Sequence, residues 1–230
     1  MSPEWNNFIN DEMKKKYMID LKNFITERRK EVIVLPSSEN LFNALKQCAW
    51  ADLKVIIIGQ DPYPSAADAH GIAFSSPSEK TPYSLENIFK EIYQDIFAGN
   101  TGGVKVFKTN NLTQWAKQGV LLLNTCLTTE ENKPGAHNRQ GWEIFIENLV
   151  KHIGNHHKSK LVWMLWGKQA QSLKEHINQE NHLVLEAEHP AAVRHRTNAW
   201  FGNKNFSKCN EFIKKTYFNQ KSPINWHTLN

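Results

Sequence analysis

The sequence has no long hydrophobic run: no apolar stretch approaches the roughly 20 residues that a membrane-spanning helix needs. The first thirty residues carry Lys14, Lys15, Lys16, Arg28 and Arg29 and contain no apolar segment of the kind found in signal peptides. We therefore expect a soluble protein without membrane association that is not exported. Its expected location is the cytoplasm, beside the nucleoid in a bacterium or inside the host cell of a virus.

Cysteine is scarce, with only Cys48, Cys126 and Cys209 in the chain. These three residues are too widely spaced for a zinc knuckle or ribbon, and they are one short of the four thiolates that an iron-sulfur cluster usually takes. We expect all three cysteines to be reduced and buried. The count also argues against an iron-sulfur protein.

Metal and nucleotide motifs are missing as well. His152 and His156 stand four apart on a predicted helix, but the Glu of a zinc-protease HExxH motif is absent between them. No CxxC pair occurs, which removes the zinc-deaminase signature. No GxGxxG or other glycine-rich phosphate loop is present. We therefore expect no metal site and no cofactor.

Charge is modest in total but uneven along the chain. The formal net charge is +5 over 230 residues. Residues 191–230 hold seven Lys or Arg against one acidic residue, whereas residues 51–130 hold six against eight. A basic C-terminal part beside a mildly acidic stretch suits a protein that holds a polyanion next to its reaction pocket. A solvated helix face is the alternative explanation.

Four short apolar runs predict buried strands, at residues 55–58, 120–124, 161–166 and 182–186. Helical patterns separate them, at residues 3–29, 39–49 with a cap at Ser37 or Ser38, 84–97, 112–117, 142–152 and 206–217. Residues 99–108 and 128–140 are predicted to be loops. The pattern predicts an α/β fold with a single doubly wound domain over residues 1–230, in which a central, mostly parallel four-stranded sheet is flanked by helices. Residues 1–36 should form a helical extension packed on it.

Polar residues follow each predicted strand: Asp61, Asn124, Lys168 and His189. Because the carboxyl ends of parallel strands meet at one edge of a sheet, these residues should converge there, where ligands bind. Pro62 restricts the backbone between Asp61 and Tyr63 and stiffens the presentation of both side chains. Taken singly, each residue also has an ordinary structural explanation, as a turn former, a strand terminator or a structural histidine.

Several segments carry a resemblance to a known family. The dense match is GQDPY followed by AHGIAFS at residues 59–75, and it is joined by LLLNT, WMLWGKQAQ, EHPAAVRHR and FGNKNFSKCNEF. Together they resemble the family 1 uracil-DNA glycosylases over residues 41–226. The resemblance implies a DNA repair enzyme that flips uracil out of DNA and hydrolyses its N-glycosidic bond without a metal, leaving free uracil and an abasic site for base excision repair.

The resemblance also implies a role for each matching residue. The Asn124 amide would pair with O4 and N3–H of uracil and reject cytosine, whose pattern is reversed. Tyr63 would stand against C5 and exclude the thymine methyl group, and Phe74 would stack on the flipped ring. His189 and the N–H of Gln60 would bind uracil O2.

Catalysis is assigned by the same resemblance to two residues. Asp61 would stabilise an oxocarbenium-like sugar and orient or deprotonate the attacking water. His189 would donate a hydrogen bond to uracil O2 as negative charge develops on that atom.

Departures from the family pattern lie in the segments that face DNA. Pro64 replaces the usual His, Lys168 replaces the usual Ser, and Ala-Ala-Val replaces Ser-Pro-Leu at residues 191–193. Val193 therefore stands where the family inserts a Leu wedge into the base stack. The loop after it is one residue longer than the common form and supplies Arg194 and Arg196 for phosphate or minor-groove contacts.

The expected partner is uracil-containing DNA, single- or double-stranded, bound by a monomer. A proteinaceous uracil-glycosylase inhibitor or a replication protein is the second expected partner, because the Pro64 and HPAA features resemble the poxviral branch, which also serves in a polymerase processivity factor. Two other function classes stay open at this point. One is a DNA-binding or polymerase-processivity module of the same fold, and the other is a deaminase or phosphatase of similar α/β plan.

Overall fold

The structure is a computed structural model that describes residues 1–97, 107–194, 200–218 and 221–228. Its strands in chain order are β1 (Val34–Leu35), β2 (Val55–Gly59), β3 (Val120–Asn124), β4 (Thr129–Glu130), β5 (Val162–Trp166) and β6 (Leu183–Ala187). The four longer strands form one parallel sheet in the order β3-β2-β5-β6, and β1 pairs antiparallel with β4. The predicted α/β class and the four predicted strands are confirmed, each to within a residue or two at its ends.

The helices in chain order are α1 (Pro3–Glu12), α2 (Lys16–Glu31), α3 (Asn43–Gln47), α4 (Tyr83–Ile92), α5 (Thr113–Lys117), α6 (Trp142–His156), α7 (Lys168–Gln171) and α8 (Asn205–Tyr217). Short 3-10 turns and one π-helical turn at Tyr93–Phe97 complete the helical structure of the described ranges. Most of the predicted helices are present. The loop predicted at residues 99–108 falls mainly outside the described residues.

Burial on both faces explains why the strands read as unbroken apolar runs. Every residue of β2, β3 and β5 is buried. Side chains alternate between two hydrophobic clusters. Ile56 and Ile58 point into the cluster that contains α1, α2 and α6, whereas Val55 and Ile57 point into the cluster that contains α4 and α8. The sheet is therefore the middle layer of three.

The first two helices share the core of the rest of the chain. Trp5 of α1 is fully buried, and its indole N–H donates a 2.8 Å hydrogen bond to the carbonyl of Cys48. Met18, Leu21 and Ile25 of α2 belong to the same buried cluster as α6. The predicted division, a single domain with a packed N-terminal extension, stays a prediction that this shared core supports.

The helix predicted at residues 39–49 is wrong in its extent. The segment forms a 3-10 turn at Ser38–Asn40 and then the short α3, and Ser37 makes no side-chain cap. The cause is tertiary: the N–H of Ala44 donates to the carbonyl of Gly71, and the Asn43 amide donates to the carbonyl of His70. Contacts with the loop after β2 thus replace the hydrogen bonds of a continuous helix.

The polar segment predicted as a loop at residues 128–140 contains β4 and is partly buried. Thr128, Thr129, Glu130 and His137 are all buried there, beneath the N-terminal helices. Strands of two residues are too short to show an alternating pattern, which explains why β1 and β4 escape prediction. The N-terminal helices thereby reach the loops at the carboxyl edge of the sheet.

Strand order fixes where a ligand can bind. The chain leaves β2 towards β3 on one side and leaves β5 towards β6 on the other, so a crevice opens between the carboxyl ends of β2 and β5. Cys48, Cys126 and Cys209 are buried free thiols, as expected. Within the described ranges, no helix is both long and apolar enough to cross a membrane.

Candidate active site

A cavity of about 590 Å³ lies at the carboxyl edge of the sheet. Its wall contains all the residues assigned above to catalysis and uracil binding: Gln60, Asp61, Tyr63, Phe74, Asn124 and His189. They come from the segments after β2, β3 and β6, so the fold brings together residues that are far apart in sequence. Much of the remaining wall is apolar, as is usual for a site that holds a small ring-shaped ligand.

Asp61 is presented by the loop that follows β2. Its Oδ2 accepts a 2.6 Å hydrogen bond from the backbone N–H of Gly135. Burial raises the pKa of Asp61 above its ordinary value, and the bond from Gly135 opposes that rise. A carboxylate with little hydration and one fixed donor is suited to attract positive charge or to take a proton from water.

Tyr63 is locked by two hydrogen bonds. Its hydroxyl donates to the carbonyl of Phe74 at 3.0 Å and pairs with the Ser84 hydroxyl at 2.9 Å. Burial raises the pKa of Tyr63, so the phenol stays neutral. The ring is therefore a rigid, uncharged part of the cavity wall.

Phe74 adopts a backbone conformation that phenylalanine rarely takes, with φ of 63°. Such a conformation costs about 1–3 kcal/mol and persists where the surroundings enforce it, often at functional sites. Its ring lies 5.4 Å from the Trp166 ring and 5.8 Å from the His189 ring, measured between centroids. The left-handed turn thus delivers an aromatic face to the cavity.

Asn124 ends β3 directly beside Gly59, the last residue of β2. A Cβ atom at Gly59 would lie 2.6 Å from Asn124 Oδ1 and 2.9 Å from the Phe74 ring, so only glycine lets these two groups approach the strand. Among the described residues, the Asn124 amide has no protein hydrogen-bond partner, although the residue is only 9% exposed. Its donor and its acceptor are left for a ligand.

His189 is a neutral donor. Its Nδ1 accepts a 3.1 Å hydrogen bond from the N–H of Ala191, which puts the ring proton on Nε2. Burial lowers the pKa of His189 to about 4. The base of the side chain lies close to Gly167, where a Cβ atom would lie 3.1 Å from the Cβ of His189. The imidazole is therefore uncharged near neutral pH and can donate through Nε2.

The peptide of Gln60 is held from its carbonyl side. That oxygen accepts hydrogen bonds from the N–H of Cys126 and from the hydroxyl of Thr125, both at 2.9 Å. No acceptor for the N–H of Gln60 occurs in the part of the chain that the structure describes. This N–H is therefore a second available donor at the cavity.

Lys168 does not line this cavity. It borders an adjoining cleft of about 360 Å³, together with Gln60 and His189. Three of the four residues predicted to converge are therefore in one cavity, and Lys168 lies in the cleft that shares Gln60 and His189 with it. Lys168 begins α7, just beyond the carboxyl end of β5. Its contact with DNA stays a prediction.

The segment after His189 forms a 3-10 turn at Pro190–Arg194. Val193 is half-buried and packs against the cluster that includes α4 and α8. Arg194 lines the cavity, with its guanidinium carbon 4.2 Å from the centre of the Tyr83 ring. Arg196 lies outside the described residues. The wedge and DNA-contact roles of these residues stay predictions.

Sequence reasoning did not find Gly135 or Ser84 as parts of the site. Gly135 is 74 positions from Asp61, and no local pattern links a loop glycine to a distant carboxylate. Ser84 is predicted from the sequence only as a residue at a helix start, and only the fold brings its hydroxyl to Tyr63.

For metals, no group of three or more His, Cys, Asp or Glu side chains suited to hold an ion occurs within the described ranges. The rings of His152 and His156 stack 4.4 Å apart. The expectation of no metal stays a prediction.

Comparison with known proteins points to one family. A sequence profile described as the uracil DNA glycosylase superfamily matches residues 45–214. The chain is 40% identical over 228 residues to the uracil-DNA glycosylase of Campylobacter jejuni subsp. jejuni serotype O:23/36 (strain 81-176), covering 98% of this chain and 94% of that protein. It is 39% identical to the uracil-DNA glycosylase of Amoebophilus asiaticus (strain 5a2), with 98% of each chain covered.

Solved structures agree with the sequence comparison. The mimivirus uracil-DNA glycosylase superposes with a TM-score of 0.84 at 27% identity, covering 97% of this chain and 86% of that one. A variant of the mimivirus protein in complex with UGI also gives a TM-score of 0.84 at 27% identity, covering 98% and 88%. With a matching profile over most of its length, close relatives along nearly the whole chain and the same fold, this chain belongs to the uracil DNA glycosylase superfamily.

Proposed function

We propose that this protein is a uracil-DNA glycosylase of DNA repair, which hydrolyses the N-glycosidic bond of uracil in DNA. The observation that carries the proposal is the single cavity that holds Asp61, Asn124 and His189 together with Gln60, Tyr63 and Phe74. Relatives about 40% identical along nearly the whole chain bear the same activity in their names. A DNA-binding module without activity and a deaminase or phosphatase are not favoured by these relatives.

Recognition of uracil rests on the Asn124 amide. Its N–H donates to uracil O4 and its carbonyl oxygen accepts from N3–H, whereas cytosine offers the opposite donor and acceptor at these positions. Buried polar groups that stay unpaired with the wrong base make that base unfavourable by a factor of about 10⁴ in sites of this kind. Tyr63 leaves no room for a methyl group at C5, and Phe74 stacks on the ring.

The reaction is a displacement at the sugar. Water attacks C1′ while the bond between C1′ and uracil N1 breaks, and the electron pair of that bond leaves with the base. Asp61 stabilises the positive charge on the sugar and accepts a proton from the water. The negative charge that reaches uracil O2 is met by the N–H of Gln60 and by Nε2–H of His189, which donates as a neutral imidazole.

We also propose how the protein binds DNA and a protein partner. DNA is held outside the cavity by Lys168, Arg194 and Arg196, with Val193 entering the gap that the flipped base leaves. The mimivirus relative in complex with UGI supports binding of a proteinaceous inhibitor. We also propose that the protein acts as a monomer in the cytoplasm.

One assay tests the function. The purified protein is incubated with a single-uracil DNA oligonucleotide in excess EDTA, and abasic sites are then cleaved with alkali. We expect strand cleavage with uracil DNA, none with the matched thymine oligonucleotide, and no free uracil from the same sequence in RNA. Loss of activity on adding EDTA would contradict the metal-independent reaction, and intact uracil DNA without EDTA would contradict the function.

A further inference from the structure

A single segment holds the loop of Asp61 at two points. Within the described ranges, the Asp61 carboxylate accepts its protein hydrogen bond from Gly135, at 2.6 Å. Three residues earlier, the N–H of Asn132 donates a 2.8 Å bond to the carbonyl of Pro64 in the loop that carries Asp61. The position of the carboxylate therefore depends on the position of residues 129–135, which we call the clamp segment.

The clamp segment closes on itself through backbone and side-chain bonds. The N–H of Lys133 donates to the carbonyl of Glu130 at 3.1 Å, and the Thr129 hydroxyl donates to the carbonyl of Lys133 at 2.6 Å. Asn132 and Gly135 both take positive φ angles, of 61° and 71°. Asn132 is a non-glycine residue in the left-handed region, a conformation that costs free energy and persists where surrounding contacts support it.

Glu130 supplies that support. Its side chain is only 7% exposed, and its Oε1 accepts from Nε of Arg28 at 2.7 Å and from Nη2 at 2.6 Å. Lys133 donates to Oε2 at 3.0 Å. This fork of two guanidinium N–H groups converges on one carboxylate oxygen, while the other oxygen is held by Lys133, so both oxygens of Glu130 have charged donors. Arg28 sits near the end of α2, so the support comes from the N-terminal helices.

The backbone reinforces the same connection. Glu130 pairs with Val34 in the β1–β4 ladder, and the N–H of Glu131 donates to the carbonyl of Ile33 at 2.9 Å. Arg29 donates to the carbonyl of Val34 at 3.1 Å and to that of Pro36 at 2.8 Å. The end of α2, β1 and the clamp segment therefore form one connected unit.

From this geometry we propose that Glu130, held by Arg28, is a positioning residue that keeps the N–H of Gly135 against the Asp61 carboxylate. The inference rests on the proposed function, because it takes Asp61 as the group that acts on the sugar and the water. Glu130 itself stays outside the cavity and touches no substrate. Its loss is expected to act through the geometry of Asp61, and a misplacement of about 1 Å can cost roughly 10²-fold in rate.

The charged groups around the pair define what a pH profile reports. Glu130 faces Arg28 and Lys133, whose hydrogen bonds hold the pKa of Glu130 below its ordinary value. His137 Nε2 lies 3.7 Å from Glu130 Oε1, and burial lowers the pKa of this histidine. Arg28 also pairs with Glu31 on α2.

Other titratable groups lie beside Asp61 or line its cavity, among them Tyr63, Arg194, Cys126, His70 and His189. Burial raises the pKa of the Cys126 thiol to about 12, so this neighbour is uncharged. Burial lowers the pKa of His70 and of His189, which line the same cavity. Because burial raises the pKa of Asp61, an acidic limb of kcat/KM is expected from this carboxyl group, and losing the Gly135 donor moves that limb to higher pH because the charged form loses a hydrogen bond.

The test compares Glu130→Gln with Glu27→Gln. Glu27 is a matched control, because it pairs with Lys30 on the same helix at 2.7 Å but is exposed and does not contact the clamp segment. We expect Glu130→Gln to lower kcat roughly 10- to 100-fold, to leave the affinity for uracil DNA unchanged, and to shift the acidic limb of kcat/KM upward. Glu27→Gln should match the wild type in all three.

Arg28→Lys is the second variant, for the case that Glu130→Gln does not fold. It keeps the positive charge at position 28 and removes the two guanidinium hydrogen bonds to Glu130. In Arg28→Lys the acidic limb of kcat/KM should also move to higher pH, but by less than in Glu130→Gln. If both variants melt at a lower temperature but keep the wild-type kcat and acidic limb, Glu130 is only a structural residue and the proposal is overturned. A wild-type protein that releases no uracil would instead contradict the proposed function itself.

Discussion

The protonation state of His189 follows from its surroundings more than from its type. Burial lowers its pKa to about 4, and the bond from the N–H of Ala191 assigns the remaining proton to Nε2. A neutral donor is suited to uracil O2, which becomes negative in the reaction. It stabilises that negative charge, and it carries no positive charge that would repel the cationic sugar. The same burial makes His189 a source of acid instability.

The first prediction concerns that instability. Between pH 6.5 and about pH 4 the unfolded state takes up a proton on His189 and the folded state does not, so the free energy of unfolding falls as the pH falls. A shift from 6.5 to about 4 corresponds to roughly 3 kcal/mol at the lower end. The melting temperature of the wild type, measured across this range, should fall relative to that of His189→Gln as the pH falls. Parallel curves would show that His189 titrates normally in the folded protein.

The second prediction concerns Asn124. Its side chain is buried between Gly59 and Phe74, so a carboxyl group in its place would be pushed towards the protonated form, which can pair with cytosine. We expect Asn124→Asp to release cytosine from DNA detectably while losing much of its activity on uracil. The measurement is free base released from matched uracil and cytosine duplexes. A folded variant that acts on uracil and still refuses cytosine would show that Asn124 is not the residue that reads the base.

At the scale of elements, α4 anchors the described residues on either side of positions 195–199. Asn87 of α4 donates a 2.9 Å hydrogen bond to the carbonyl of Pro190, and Trp200 donates to the carbonyl of Asn87 at 3.0 Å. Glu91, one turn further on, accepts from the N–H groups of Gly202 and Lys204, at 2.6 and 3.0 Å. The helix therefore sets the two ends between which the proposed DNA-binding loop runs.

The third prediction concerns that loop. Val193 is half-buried against the core and is a methylene shorter than leucine, so it reaches less far between bases. We expect Val193→Ala to cost less activity on duplex uracil DNA than Arg194→Ala and Arg196→Ala combined. The double Arg variant should also show a shallower dependence of binding on salt, because each lost phosphate contact lowers the slope by about 0.9.

A matched control exists for the double Arg variant. Lys214→Ala with Lys215→Ala removes the same charge from the exposed last turn of α8. That end of α8 is remote from the cavity, since Tyr217 there contacts the carbonyl of Lys160 before β5. The variants are compared on duplex and single-stranded DNA over a salt series. The account of the loop is wrong if Val193→Ala is more damaging on duplex, or if the Arg and Lys pairs change the salt slope equally.

The strands could be predicted from the sequence, and the supports of the site could not. Five-residue runs such as Val55–Gly59 are apolar because both faces are buried, and that signal is local. The convergence of the polar residues after the strands could also be predicted, because the carboxyl ends of parallel strands meet at one edge of the sheet. Gly135 and Glu130 act on Asp61 through contacts far apart in the chain, and β4 is too short for a pattern. The break before α3 likewise depends on the carbonyl of Gly71, which only the folded loop provides.

At the scale of the whole molecule, base excision and DNA binding are assigned to different residues. The cavity holds the groups that read and release the base, and most of them are uncharged. Of the basic residues assigned to DNA that the structure describes, Arg194 stacks on Tyr83 at the cavity wall and Lys168 borders the adjoining cleft. Phosphate contacts give affinity that does not depend on the base, and the cavity gives selectivity. Turnover and DNA affinity should therefore respond to different substitutions.

The most direct test is to measure both quantities on Asp61→Asn. Free uracil released in single turnover and the Kd for a uracil duplex are compared with those of the wild type and of Asp20→Asn, an exposed aspartate on α2 that pairs only with Lys16 among the described residues. We predict that Asp61→Asn lowers turnover by orders of magnitude with Kd nearly unchanged, because the carboxylate acts on the reacting sugar and water. Asp20→Asn should match the wild type. Equal losses of turnover and affinity in Asp61→Asn, or uracil release at the wild-type rate, would contradict the account.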